Sequence, residues 1–149
     1  MSKLAKYDRL YEQIEGYVHT TGDVWARLAT IEAVLHHKMP RFFWTGVYAL
    51  VGDELIVRSY QGPVACQCLR DGGVCWSAIR GGKTVIVGNV AEFPGHIACN
   101  PASKSEIVIP LRDREGRVFG CLDIDSDHLN AFDEEDAVGL EKILSLLYT

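Results

Sequence analysis

The sequence contains no apolar run that approaches the roughly 20 residues that a membrane-spanning helix needs. Positive charge is also scarce, because 15 lysines and arginines face 20 aspartates and glutamates, and the net charge of −5 disfavours a nucleic-acid-binding surface. The first residues, Met1 to Tyr7, include no apolar stretch of the kind found in secretory signals. These absences predict a cytoplasmic protein.

Internal repeats, linkers and low-complexity segments are missing too, so residues 1–149 are expected to fold as a single domain. Cysteine, in contrast, is well represented, with five residues. In the cytoplasm thiols are kept reduced, and an odd number of cysteines argues against a fully paired disulfide framework. The five are therefore expected to be reactive, metal-binding or simply buried.

Hydrophobic spacing predicts helices at both ends of the chain and strands between them. Two helices precede Pro40, and Asp133 is expected to cap a last helix that runs to about Leu147. Alternating aromatic and β-branched residues predict hairpins over 42–60 and 106–124. This order of elements is typical of an α+β domain, with one mostly antiparallel sheet and helices packed on one side.

The region between the two hairpins is less regular. Residues 61–73 read as an irregular segment, followed by a short helix over 74–79 and a strand over 84–87. A dense run then extends from Phe93 to Asn100 and combines a Pro-Gly turn, a histidine and a cysteine. Loops that only connect strands seldom need that mixture, so this segment is a candidate functional site.

Four cysteines, Cys66, Cys68, Cys75 and Cys99, fall in predicted loops or at element ends, where sulfur can be exposed and its acidity tuned. Cys121 lies inside a predicted strand and is expected to be a small buried hydrophobe.

Two chemistries suit the loop cysteines. Zinc sites usually present paired cysteines twice, whereas this chain has one Cys-x-Cys pair, to which His96 and Cys99 would add irregularly spaced ligands. Thiol redox chemistry fits better: a nucleophilic cysteine becomes a sulfenic acid, a second cysteine condenses with it, and an external dithiol reduces the disulfide.

Three carboxylates are expected to lie beside the candidate loop. Asp123 and Asp125 are two apart on one predicted strand and therefore share a face, and Glu106 opens the neighbouring antiparallel strand. They could be an ordinary solvated strand end. Alternatively, they form a socket for a ligand ammonium, or include a carboxyl whose pKa is raised so that it can donate a proton.

Trp44 and Tyr48 are four apart on the first predicted strand and also share a face. They either pack in the core or form the wall of a pocket that holds a methyl or thioether group.

Several motifs together resemble the free methionine-(R)-sulfoxide reductases, which are stand-alone GAF-domain enzymes. The resemblance extends from about Tyr7 to the end of the chain. The motifs that carry it are Trp44–Tyr48, Gln61–Cys66, Gly73–Cys75, Phe93–Cys99, Ser105–Pro110 and Leu122–Ser126.

This resemblance implies a GAF-like, six-stranded antiparallel sheet with the N- and C-terminal helices on one side, usually in a homodimer. It implies reduction of free methionine-R-sulfoxide with thioredoxin as reductant, and neither a metal nor an organic cofactor. It also implies roles for eight residues. Cys99 is the nucleophile, Cys66 is its disulfide partner, and Cys75 is a further cysteine that takes part in recycling. Trp44 and Tyr48 are the pocket aromatics. The substrate-binding carboxylates are Glu106, Asp123 and Asp125.

Cys68 is an extra thiol compared with that family, so the resolving cysteine is left open among Cys66, Cys68 and Cys75. The proton donor is likewise left open between Glu106 and Asp125. The alternative function is a non-enzymatic GAF sensor of a small ligand or of redox state. Such modules usually sit beside an output domain, and none is expected in this chain.

Overall fold

The computed structural model describes residues 1–96 and 99–149. It contains four α-helices in these residues: α1 (Lys3–Val18), α2 (Val24–Lys38), α3 (Gly73–Gly81) and α4 (Glu134–Leu144). The strands are β1 (Trp44–Val51), β2 (Glu54–Gln61), β3 (Cys68–Leu69), β4 (Val85–Val87), β5 (Ser105–Arg112) and β6 (Val118–Ser126). None of the described helices is long and apolar enough to cross a membrane.

The six described strands form one sheet in the order β3-β2-β1-β6-β5-β4, and every neighbouring pair is antiparallel. The predicted six-stranded antiparallel sheet is therefore confirmed. The central strands β1 and β6 come from distant parts of the chain, and their pairing brings the two predicted hairpins together in one sheet.

The helices α1, α2 and α4 each have an N-cap residue whose side chain accepts a hydrogen bond from a backbone N–H group of the first turn. Ser2 accepts a hydrogen bond from the Ala5 N–H, Asp23 from the Ala26 N–H, and Asp133 from the first turn of α4. The predicted cap at Asp133 is confirmed. The last helix is shorter than predicted, because α4 ends at Leu144 and a 3₁₀ turn continues to Tyr148.

The two faces of the sheet have different coverings. Residues such as Val47, Ile107 and Leu122 point to one face and form the main core with α1, α2 and α4. This confirms that the N- and C-terminal helices pack on one side. The opposite face carries a second, smaller core with Tyr48 and Val108, which α3 covers only in part. That second face also carries the carboxylates Glu106, Asp123 and Asp125, which alternate with the main-core residues of β5 and β6.

The strand β3 was not predicted, since Cys68 and Leu69 belong to a segment expected to be irregular. A segment of two residues is too short to show the alternation of apolar and polar residues that predicts a strand. Cys68 and Leu69 form a strand because they pair with the open edge of β2.

Candidate active site

The three predicted carboxylates meet on the second face of the sheet. Glu106 on β5 lies opposite Asp125 on β6, and Asp123 is two residues before Asp125, on the same face. Glu106 and Asp123 are each only 5% exposed, so little water surrounds their charges. Antiparallel register therefore concentrates three acidic groups at the floor of one pocket, which they line together.

Burial is the main cause of unusual acidity in this group. It raises the pKa of Glu106 and of Asp125 well above the ordinary range, and the nearby charge of Asp123 raises both further. The pKa of Asp123 is also raised by burial, but hydrogen bonding with Glu106 and with the Cys75 thiol opposes that rise. Burial thus favours the protonated forms of Glu106 and Asp125, while its hydrogen bonds favour the ionised form of Asp123.

An aromatic wall stands beside the carboxylates. The rings of Trp44 and Tyr48 are stacked with centroids 5.9 Å apart, and the Tyr60 ring also stacks with Trp44, at 5.4 Å. The Trp44 Nε1–H donates to the Pro63 carbonyl at 3.1 Å, and the Tyr48 hydroxyl donates to the Cys66 carbonyl at 3.2 Å. These two hydrogen bonds tie the loop that carries Cys66 to the wall.

Cys66 and Cys99 form a disulfide, with their Cα atoms 5.6 Å apart. This is the pair that the family resemblance implied. Cys99 is exposed and lines the pocket above the carboxylates. His96, three residues earlier, also lines the pocket, and partial burial lowers the pKa of its imidazole, which favours the neutral form.

Of the remaining cysteines, two are buried and one is partly buried. Cys121 is completely buried, as predicted. Cys75 is buried at the start of α3, where a hydrogen bond with Cys121, followed by desolvation, raises the pKa of its thiol well above the usual range. Cys68 lies on β3, where its Sγ donates to a Glu54 carboxylate oxygen at 3.0 Å, and this hydrogen bond raises the pKa of the thiol.

A small set of buried donors could hold a cation. The Cys75 sulfur and carboxylate oxygens of Glu106 and Asp123 all lie within 4.8 Å of one another. This set shares no residue with the zinc ligands considered from the sequence. Two of those earlier candidates, Cys66 and Cys99, have their sulfurs bonded to each other. The prediction that the protein uses no metal stays a prediction.

The structure thus brings seven of the eight predicted site residues into the lining of one pocket. The eighth, Cys66, is bonded to Cys99, which is one of those seven. Two contributors were missed. Gly46 lies between the Trp44 ring and Tyr60, where a side chain would collide with both. The sequence did contain a signal for Gly46, because a glycine inside a strand often marks a place where another group packs closely against the backbone. The other is the pair Gly72–Gly73 at the start of α3, which lines the pocket.

Comparison with known proteins agrees with this geometry. A model of the GAF domain matches residues 29–147. The chain is 47% identical over 148 residues to GAF domain-containing protein A of Dictyostelium discoideum, an alignment that covers 98% of this chain and 92% of that protein. The chain therefore belongs to the GAF domain family.

Within that family, the chain is similar in sequence and structure to free methionine-R-sulfoxide reductases, as its motifs indicated. It is 34% identical over 148 residues to the enzyme of that name from Escherichia coli K12, covering 99% of this chain and 89% of that protein. The X-ray structure of the Neisseria meningitidis enzyme, in complex with its substrate, superposes with a TM-score of 0.93 at 42% identity. That match covers 99% of this chain and 89% of the other.

Proposed function

We propose that this chain reduces free methionine-R-sulfoxide to methionine through a cysteine sulfenic acid and an intramolecular disulfide. The observation that carries the proposal is the Cys66–Cys99 disulfide at the mouth of a pocket with a carboxylate floor and an aromatic wall. The relatives named as free methionine-R-sulfoxide reductases support the same substrate.

The first step uses the thiolate of Cys99. It attacks the electrophilic sulfur of the sulfoxide while a protonated carboxyl, Glu106 or Asp125, donates a proton to the sulfoxide oxygen. In the resulting adduct, the protonated oxygen transfers from the substrate sulfur to the Cys99 sulfur. The S–S bond breaks and leaves its electron pair on the methionine sulfur, so methionine departs and Cys99 becomes a sulfenic acid. Burial supports this role, because it keeps these two carboxyls protonated at a pH where exposed carboxylates are ionised.

The second step regenerates the enzyme. The Cys66 thiol attacks the sulfenic sulfur, water leaves, and the disulfide forms. A thioredoxin-like dithiol then reduces this disulfide to two thiols. Cys75 remains a predicted participant in recycling. Because its sulfur is buried, exchange with the disulfide requires the start of α3 to open.

Substrate selection follows from three contacts. Trp44 and Tyr48 hold the S-methyl group, the proton donor holds the sulfoxide oxygen, and the ionised Asp123 binds the α-ammonium of the amino acid. Three fixed contacts around a chiral sulfur distinguish the R epimer from the S epimer. The ammonium contact favours the free amino acid, since a peptide-bound residue has no ammonium group at that position.

The biological setting is also a proposal. Residues 1–149 act as one GAF domain in a homodimer, in the cytoplasm, where thioredoxin keeps the disulfide reducible. Sedimentation of the purified protein would measure its oligomeric state.

The test is NADPH oxidation coupled through thioredoxin reductase and thioredoxin to the purified protein. Free R-sulfoxide, free S-sulfoxide and a peptide-bound sulfoxide are compared as substrates. The proposal requires turnover of the free R epimer and little of the other two. Tight binding of the R-sulfoxide with no methionine formed would instead identify a sensor.

A further inference from the structure

The segment that carries Cys66, residues 63–66, has no regular secondary structure. It follows the end of β2 at Gln61 and precedes β3, which starts at Cys68. Among the described residues, no backbone N–H group donates a hydrogen bond to the carbonyl of Pro63 or of Cys66. Because this segment lacks the hydrogen-bond ladder of a strand or helix, its position depends on side chains of neighbouring elements.

Two side chains of β1 supply the missing contacts. The Tyr48 hydroxyl donates to the Cys66 carbonyl at 3.2 Å, and the Trp44 Nε1–H donates to the Pro63 carbonyl at 3.1 Å. The two acceptors are the first and last residues of the segment, so both of its ends are fixed to the same strand. Tyr48 is 2% exposed, and burial raises the pKa of its hydroxyl, which therefore remains a hydrogen-bond donor at neutral pH.

Disulfide formation requires an accurately placed segment. Two cysteines can be joined when their Cα atoms lie about 4.4–6.8 Å apart. The Cα atoms of Cys66 and Cys99 are 5.6 Å apart, which is inside that range. The hydrogen bonds from β1 engage backbone carbonyls and not sulfur, so the same donors can hold the segment when both cysteines are reduced.

The ring and the hydroxyl of Tyr48 have separate surroundings. The ring stacks with Trp44 and lines the pocket, where the proposed function places the S-methyl group. The hydroxyl reaches the Cys66 carbonyl instead. One side chain can therefore serve the substrate with its ring and the resolving cysteine with its hydroxyl.

We propose that Tyr48 and Trp44 position Cys66 for the second chemical step of the reaction. By holding the carbonyls at both ends of residues 63–66, they keep the Cys66 thiol within reach of the sulfenic acid on Cys99. In this step the Cys66 sulfur attacks the sulfenic sulfur, the S–O bond breaks, and the hydroxyl leaves as water with the thiol proton. The inference rests on the proposed function and extends it, because the aromatic wall then also controls how fast the disulfide closes.

The variant Tyr48→Phe tests the inference, since it removes the hydroxyl and keeps the ring. Reduced enzyme is mixed with an equal amount of R-sulfoxide, and quenched samples are analysed for methionine by chromatography and for the disulfide by mass spectrometry. Loss of the hydrogen bond and displacement of Cys66 should slow disulfide closure by about 10- to 100-fold more than methionine formation. The sulfenic acid on Cys99 should accumulate and be trapped by dimedone.

The outcomes separate this inference from the proposed function. If Tyr48→Phe slows both steps equally, within twofold, or slows neither, the inference is overturned and the proposed function stands. If the wild-type enzyme forms no methionine, the proposed function itself is refuted. Disulfide closure is then still measurable with hydrogen peroxide, which oxidises the Cys99 thiolate directly to the sulfenic acid and thus replaces the first step.

Tyr7→Phe is the matched control. It also removes a buried tyrosine hydroxyl, which donates to Asp136 at 2.6 Å in the main core, outside the described pocket lining. This variant should keep the wild-type ratio of disulfide closure to methionine formation. If Tyr7→Phe lowers that ratio as much as Tyr48→Phe does, the effect comes from lost stability and the inference is wrong.

Gly62→Ala displaces the same segment from its other end and decides the question if Tyr48→Phe does not fold. Gly62 has a φ of 118°, and a Cβ there would lie 2.7 Å from the Phe43 carbonyl oxygen, so the backbone must shift. Peroxide-driven closure should slow about 10-fold or more. Gly52→Ala, with a φ of 62° and no atom within 4 Å of the added methyl, should close at the wild-type rate. Wild-type closure in Gly62→Ala would overturn the inference.

Discussion

Glu106 and Asp125 lie directly opposite each other on neighbouring antiparallel strands, so two carboxyl groups share one buried floor. Like charges in that position destabilise the sheet when both are ionised. Burial and the charge of Asp123 resolve the conflict by raising the pKa of both groups, which then hold protons. The same geometry that makes this pair costly as carboxylates makes it useful as an acid.

The carboxyl that protonates the sulfoxide oxygen can be identified by conservative substitution. Glu106→Gln and Asp125→Asn keep size and polarity but cannot transfer a proton. Removal of the true donor should lower kcat by about 10²- to 10⁴-fold. Rates in single-turnover reactions measure this step without recycling.

The pH dependence provides its control. Because the donor acts when protonated and its pKa is raised, wild-type activity should fall as the pH rises through that elevated value. The variant without the donor should lose this decline. If both variants keep wild-type rates and the same profile, neither residue is the acid.

Substitution of the nucleophile gives the sharpest result. Cys99→Ser should form no methionine even in a single turnover, since serine cannot accept the oxygen as a sulfenic acid. Methionine is measured by chromatography after mixing enzyme and R-sulfoxide in equal amounts. Cys68→Ser, which alters a thiol on the edge strand β3 outside the described pocket lining, is the matched control and should form methionine in this single turnover as the wild type does. Normal methionine formation by Cys99→Ser would assign the chemistry elsewhere.

The resolving cysteine is tested by recycling. Cys66→Ser should release one methionine per enzyme and then stop, because the sulfenic acid on Cys99 has no partner thiol. Steady-state turnover with thioredoxin should therefore be lost while the single turnover is kept. A Cys66→Ser variant that cycles at the full rate would point to Cys68 or Cys75 instead.

The aromatic wall depends on a residue without a side chain. In Gly46→Ala, the new methyl group would collide with the Trp44 ring and with Tyr60, so the ring must move. A displacement of about 1 Å can cost about 10²-fold in rate, and we expect kcat/KM to fall by that order. Gly16→Ala, on α1 where no atom is within 4 Å of the added methyl, should leave activity unchanged. Similar kinetics for the two variants would show that Trp44 does not position the substrate.

A stability prediction concerns Glu32 on α2, far from the pocket lining. Burial raises the pKa of its carboxyl from 4.5 to about 8, against the hydrogen bond from the Ser59 hydroxyl, which lowers it. Between these values the folded state holds a proton that the unfolded state releases. Stability from this group is therefore complete below the lower value and is lost as the pH rises through the upper one.

Glu32→Gln should remove that loss, which is on the order of a few kcal/mol. Thermal unfolding from pH 5 to pH 9 should show a smaller decrease in Tm for the variant than for the wild type. Glu15→Gln, an exposed change on α1, serves as control and should follow the wild-type curve. Parallel curves for Glu32→Gln and wild type would show that Glu32 is ionised without cost.

Much of the fold could be predicted because local rules govern it. Asp23 and Asp133 signal helix starts by their capping oxygens, and the two hairpins follow from alternation and turn residues. Predictions were least accurate where tertiary contacts override local preference. The strand β3 exists only because the edge of β2 accepts it, and the last helix tightens into a 3₁₀ turn at Ser145.

The sequence by itself determined which chemical groups this protein has: a cysteine close to a Pro-Gly turn, an acidic pair at a strand end and two aromatics in one strand. Period-two geometry even predicted that Asp123 and Asp125 share a face. Only the tertiary structure decided which groups meet. The pairing of β1 with β6 places the aromatics beside the carboxylates, and the packing of Gly95 on Gly72 exposes the start of α3 to the same pocket. Such contacts join residues far apart in the chain, and their energies come from burial and long-range packing, which no local pattern records.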